Sequence, residues 1–135
     1  MKKAKIIALV EQYFAAVDGG NYRILSATLT DDCVFSVETH GVELRGLDEI
    51  KPMFDKLWSD HAVVQHKDFV HVPAPDEGRV ATRFQVVNTH HDGTLVHKSN
   101  CNFFEFTDGR IKYMLIYYAN PANGDREKPT GYPKT

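Results

Sequence analysis

Ile6, Ile7, Val10, Tyr13, Phe14 and Val17 recur at three- and four-residue spacing, and Gly19-Gly20 follows where such a pattern should stop. This predicts an amphipathic helix over residues 2 to 18. Asn21 is placed as the N-cap of a second, short helix with Ile24, Leu25 and Leu29 on one face, ending at a corner of Thr30, Asp31 and Asp32. The β-rich run Cys33-Val34-Phe35-Ser36-Val37 reads as a strand. After a turn around His40-Gly41, Val42 to Arg45 reads as a second extended piece, and Gly46 lets the chain turn into a third helix. In that helix Asp48 and Glu49 favour the positive end of the dipole, while Ile50, Met53, Phe54, Leu57 and Trp58 form the apolar stripe. Pro52 predicts a boundary or kink, because its ring removes one helical hydrogen bond.

From residue 62 the period changes from helical to extended. Pro73 to Gly78, His91-Asp92-Gly93 and Thr107-Asp108-Gly109 divide the remainder into four long strands, at about 62 to 72, 79 to 90, 95 to 106 and 110 to 119. Two of the turns carry an Asp-Gly signal, so these strands read as an antiparallel meander. Helices first and a curved antiparallel sheet afterwards make an α+β domain over residues 1–120, with the helices covering one face of the sheet. Residues 121–135 carry Pro121, Gly124, Pro129, Gly131 and Pro133 with Tyr132 as their one large apolar residue, and read as an irregular tail.

Composition narrows the classes further. In 135 residues, 42% are hydrophobic, 25% charged and 11% aromatic, the balance of an ordinary globular domain. Sixteen Lys and Arg against eighteen Asp and Glu leave a formal charge of −2, without the basic excess that nucleic-acid binding needs. Cys33 and Cys101 lie far apart with no CxxC spacing, which argues against a zinc ribbon or redox dithiol and predicts thiols of a reducing compartment. The apolar run Ile6 to Val10 is broken at Glu11, too short for a signal-peptide core or a membrane span, so a cytoplasmic protein is expected. Seven histidines raise the question of a metal. His90 and His91 precede an Asp-Gly turn, and no HExxH or same-face HxH pattern occurs, so no metal site is predicted.

The element order, together with Tyr13-Phe14-Ala15-Ala16-Val17-Asp18-Gly19-Gly20-Asn21, Leu29-Thr30-Asp31-Asp32-Cys33-Val34-Phe35, Arg45-Gly46-Leu47-Asp48-Glu49-Ile50 and Asp108-Gly109-Arg110-Ile111, resembles the nuclear transport factor 2-like superfamily. Its members include SnoaL-like polyketide cyclases and ketosteroid isomerases. The resemblance covers about residues 4 to 120 and implies a cone-shaped sheet wrapped around three helices, enclosing a pocket that works without a cofactor. It also implies a homodimer through the sheet's outer face. Ketosteroid isomerases pair a helix-one tyrosine with a protonated acid on a long strand, both donating to a developing oxyanion, and use a separate carboxylate as base. By that resemblance Tyr13 matches the tyrosine, and Asn102 stands where the acid would be, an amide that can still donate. The base position holds Val37. A slip of one to three residues there brings in Glu38 or His40, either of which can serve as a base, and His61 stands where SnoaL-like proteins often carry a histidine beside the cavity.

If Asn102 points inward, alternation sends Asn100, Phe104 and Phe106 the same way. One pairing places Arg83, Gln85 and Val87 beside them and Met114, Ile116 and Tyr118 on the last strand; the competing register buries Thr82, Phe84 and Val86 and exposes Arg83 and Gln85. Trp58 joins the pocket from helix three. The expected function is acid-base chemistry, as an isomerase, dehydratase or cyclase, on an apolar small molecule bearing a carbonyl or hydroxyl. A binding module without turnover and a protein-interaction domain are the alternatives, the former favoured by the missing carboxylate at Val37.

Overall fold

A computed structural model describes residues 1–118, of Tyr118 the backbone alone. The tail assigned to residues 121–135 and the side chain of Tyr118 lie outside the described residues. The elements run α1 (Lys3–Asp18), α2 (Tyr22–Ser26), β1 (Leu29–Val37), β2 (Val42–Arg45), α3 (Leu47–Asp60), β3 (His61–Ala74), a 3-10 turn (Pro75–Glu77), β4 (Arg79–His90), β5 (Leu95–Thr107) and β6 (Arg110–Tyr118). Six strands form one curved, unclosed sheet in the order β2-β1-β6-β5-β4-β3. This is the expected α+β cone. Its pairings are antiparallel except one: β1 lies parallel to β6, because the chain crosses the whole domain between them.

Local chemistry explains the elements. Asn21 caps α2 by accepting a hydrogen bond from the Ile24 N–H at 3.2 Å. Gly46 opens α3 at φ 79, a backbone conformation that side chains resist. Helix α3 runs through Pro52 without a boundary, because the proline is exposed and gives up only a single backbone bond. The acidic corner is also corrected. Asp31 and Asp32 are exposed residues of β1 itself, within a register irregularity between Leu29 and Val34, and α2 ends at Ser26.

The core lies between the concave face of the sheet and the helices. Phe14 is its hub, with ring centroids 4.6 Å from Phe84, 4.9 Å from His66 and 5.1 Å from Phe69. The β4–β5 register sets Thr82 opposite Asn102 and Phe84 opposite Asn100. Thr82, Phe84 and Val86 therefore face inward and are buried. Arg83 and Gln85, which one reading of the alternation placed in the pocket, stand on the other face, with Gln85 donating to Ser99 Oγ at 3.3 Å.

Strand β3 breaks its own alternation. Lys67 pairs with Gln85 and Val70 with Arg83, so Asp68 and Phe69 together oppose Phe84, and Asp68 takes φ 57. His66 and His71 are five residues apart and would face opposite ways in a regular strand. The extra residue turns both inward, where His66 pairs with Val86 and His71 with Thr82.

Candidate functional site

The cavity, about 320 Å³, opens between the sheet and helices α1 and α3. That lies at the small end of the range for small-molecule sites, roughly 300–1,000 Å³. Its walls differ in character. The helical wall is mainly apolar, from Phe14, Val17, Met53, Phe54 and Leu57, with the Tyr13 hydroxyl on α1 and the Lys56–Asp60 pair on α3 as its polar groups. The sheet wall is mixed: the inward positions of β5 present Lys98, Asn100 and Asn102 in sequence and β4 adds Asn88, among the apolar Val37, Val64, Phe84, Val86 and Ile116.

Tyr13 enters from α1. Its ring is held edge-on by Phe14, Phe35 and Phe104, at 5.1, 6.3 and 5.9 Å. Burial pushes the phenol well above its ordinary pKa, with nearby Cys33 and Asp18 adding to the shift, so the hydroxyl stays a donor. Asn102 is 4% exposed and donates through Nδ2 to the Met114 sulfur at 3.4 Å, a weak acceptor. The side-chain oxygens of Asn88, Asn100 and Asn102 are buried without a partner. Buried amide oxygens in this state are unusual and mark a place where polar groups of another molecule can pair.

A histidine and an aspartate complete the site. Asp18, the last residue of α1, accepts from the His66 backbone N–H at 2.8 Å and, through its other oxygen, from the ring Nδ1 at 2.5 Å. His66 lines the cavity, its ring tilted against those of both Phe14 and Phe84. With Nδ1 committed to a carboxylate, the ring's Nε2 carries the lone pair in the neutral tautomer. His61 sits at the rim. Its Nδ1 donates to the Leu57 carbonyl at 2.7 Å, and its ring stacks on His90 at 5.0 Å. Asp60 and Lys56 are paired at 3.0 Å beside it.

Of the residues singled out from the sequence, Tyr13, Asn102, Asn100, Ile116 and His61 line this cavity. Phe104 and Met114 lie beneath it, fully buried, because Tyr13 and Asn102 cover them. Glu38 and His40 do not reach it. They occupy the exposed turn between β1 and β2, where Glu38 accepts from Ser36 Oγ at 2.9 Å, and Val37 is the residue that points inward. Trp58 is turned away from the cavity, its Nε1 donating to the Val17 carbonyl at 2.8 Å. His66 and Asp18 were overlooked. Asp18 reads as part of a helix stop and His66 as one strand residue among several, and a separation of 48 residues in the chain hides the pair. Among the described residues no cluster of three His, Cys, Asp or Glu side chains could hold a metal ion.

The SnoaL-like domain model matches residues 10–114. No curated protein sequence matches the chain. Among solved structures, a candidate polyketide cyclase from Xanthomonas campestris pv. campestris superposes with TM-score 0.78 at 20% identity, over 87% of this chain and 92% of the other. AclR, a candidate hydroxylase from Streptomyces galilaeus, gives TM-score 0.78 at 17% identity over 96% and 91%. SalBIII, an epoxide hydrolase/cyclase-like enzyme of pyran ring formation in salinomycin, gives TM-score 0.78 at 17% identity over 87% and 93%. At such identities the likeness is one of fold.

Proposed function

The chain belongs to the SnoaL-like domain family, and on that premise we propose that it performs cofactor-independent acid-base chemistry on a small apolar carbonyl compound. The observation that carries this reading is the meeting, in one cavity, of two hydrogen-bond donors and a carboxylate-oriented histidine. In this reading His66 Nε2 takes a proton from the carbon beside the carbonyl. The electron pair moves onto the carbonyl oxygen, where the Tyr13 hydroxyl and the Asn102 amide N–H stabilise the enolate in surroundings that exclude water. Asp18 holds the ring and balances the imidazolium. The proton then returns to a different carbon in an isomerisation, the enolate expels a β-hydroxyl as water in a dehydration, or the enolate carbon adds to a second carbonyl in a cyclisation. His61 at the rim is the second proton carrier.

The test is exchange of deuterium from heavy water into the carbons beside the carbonyl, across ketones of graded size. Exchange in the native protein, cut at least a hundredfold by Tyr13→Phe and by His66→Gln with binding kept, is the expected result. Ligands that bind without exchange favour the second reading, a binding module, whose supporting observation is that the apolar Val37 faces the cavity where isomerases carry their base.

We propose also that two copies associate through the convex face, where Val70, Val72, Leu95 and Tyr117 are each about half exposed or more, at 55%, 67%, 53% and 47%. Sedimentation should give a dimer that Val72→Lys converts to monomer. A monomeric native chain at high concentration would end that proposal.

A further inference from the structure

Three acceptors on the sheet wall have no donor in the protein. The side-chain oxygens of Asn88, Asn100 and Asn102 are buried and pair with no other group. Asn88 and Asn102 are each only 4% exposed, and all three residues line the cavity. Buried amide oxygens almost always find a donor, so three in one cavity mark a surface that accepts from a ligand. The charged groups here are already engaged: Asp18 holds His66, Lys56 is paired with Asp60, and Lys98 has an interaction of its own. What the cavity has left to offer is hydrogen bonding without net charge.

The strand pairing spaces these acceptors. Asn102 stands opposite Thr82, Asn100 opposite Phe84 and Asn88 opposite Val96. Asn100 is therefore one alternate-residue step along the sheet from Asn102, and Asn88 lies two steps beyond that. One step is about 6.8 Å, close to the span of a six-membered ring with its oxygen substituents. The row starts near Tyr13, which packs on Phe104, the next inward residue of β5, and it ends where Asn88 pairs with Val64.

Resting on the reading of this cavity as a site for a carbonyl compound, we propose that Asn100 and Asn88 are its specificity-determining residues and select a hydroxylated ring ketone. With the carbonyl at Tyr13 and Asn102, a hydroxyl one ring away donates to the Asn100 oxygen. In a longer ligand a second hydroxyl donates to Asn88. The hydrocarbon body lies on Phe14, Met53 and Leu57. Selection arises because a ligand without these donors still covers the oxygens and leaves them unpaired in surroundings of low polarity, whereas a hydroxyl satisfies them.

The probes are 7-hydroxy-1-tetralone and 7-methoxy-1-tetralone, which differ in one donor, compared by calorimetry on the full chain at about pH 7, where the phenol keeps its proton. The hydroxy ketone should bind about tenfold more tightly, the worth of one hydrogen bond to a buried acceptor. Asn100→Leu should bring the two probes within about twofold of each other by weakening the hydroxy ketone. Asn100→Asp, which keeps the acceptor and gives up the N–H, should preserve the preference. Asn100→Ala, which adds no bulk, repeats the measurement should the leucine variant fail to fold. Equal affinities in the native protein overturn the proposal, as does a preference that survives the loss of the amide, one that is lost in Asn100→Asp, or a native chain that binds neither probe. A hydroxyl preference without deuterium exchange would remove the proton-transfer reading and leave this one standing; exchange in both ketones at equal affinity would do the reverse.

Discussion

Both oxygens of the Asp18 carboxylate are spent on one residue, His66, one on its backbone N–H and one on its ring. The backbone bond fixes where β3 passes the end of α1, and the ring bond fixes how the imidazole points. Two substitutions separate these roles. Asp18→Asn keeps an acceptor for the backbone N–H and removes the charge, so deuterium exchange should fall by about a hundredfold to ten-thousandfold while the urea midpoint hardly moves. Asp18→Ala leaves a part-buried N–H unpaired as well and should cost about 1–3 kcal/mol. Exchange unaffected in Asp18→Asn would mean that the ring is held by packing alone.

Alkaline stability reports on Tyr13 and Cys33. Burial raises the pKa of both above their unfolded values, Cys33 to about 12 from 9.0, with Asp32 adding to burial there. In each case the unfolded chain loses its proton first. The stability these groups contribute is complete below their unfolded pKa values and is lost as pH rises: first through the cysteine range from about 9, then more steeply above about 10, where the unfolded tyrosine ionises. Tyr13→Phe should remove up to about 1.4 kcal/mol per pH unit of that steeper slope. Urea titrations at a series of pH values decide the matter; parallel curves for native and variant would show that the phenol ionises in the folded protein.

Asn102 should trade stability against function. Its oxygen is buried without a partner and its N–H faces a sulfur, so Asn102→Leu replaces a poorly paired amide by a side chain of similar size. A gain of about 1 kcal/mol in urea denaturation is expected, together with loss of exchange. A destabilised variant would show that the amide is better satisfied than its contacts indicate.

Asp68 tests the bulge. Glycine suits φ 57 and should leave the melting temperature equal or higher, whereas Asp68→Val puts a branched side chain into a left-handed conformation and should cost about 1–3 kcal/mol. His66 ring signals in a nuclear magnetic resonance spectrum should shift in the valine variant. If they stay in place, the bulge is not what aims the ring.

The sequence was most legible where short-range chemistry decides. Glycine and Asp-Gly punctuation located β4, β5 and β6 to within a residue or so, and the spacing of Ile6 to Val17 marked out α1. What escaped were relationships that alternation alone cannot settle. Arg83 and Gln85 were a question of parity, decided by how β4 pairs with β5. Trp58 lies on the apolar stripe of α3, but its indole N–H finds a carbonyl at the end of α1, which rotates it off the cavity. Glu38 and His40 follow Val37 in the chain, yet they lie in an exposed turn, and it is Val37 that faces the cavity. His66 became visible only through the bulge, because a period of two misassigns every residue on one side of an insertion.

That same insertion bears on a different problem, the free margin of the sheet. Among the described strands β3 is flanked on one side only, and a fourteen-residue edge carrying exposed Val63, Val70 and Val72 would be an inviting template for a foreign strand. The kink at Asp68 interrupts its regular row of backbone donors and acceptors midway, and Pro73 near its end supplies no donor at all. The residue that turns two histidines inward therefore also makes the longer edge among the described strands a poor partner for aggregation.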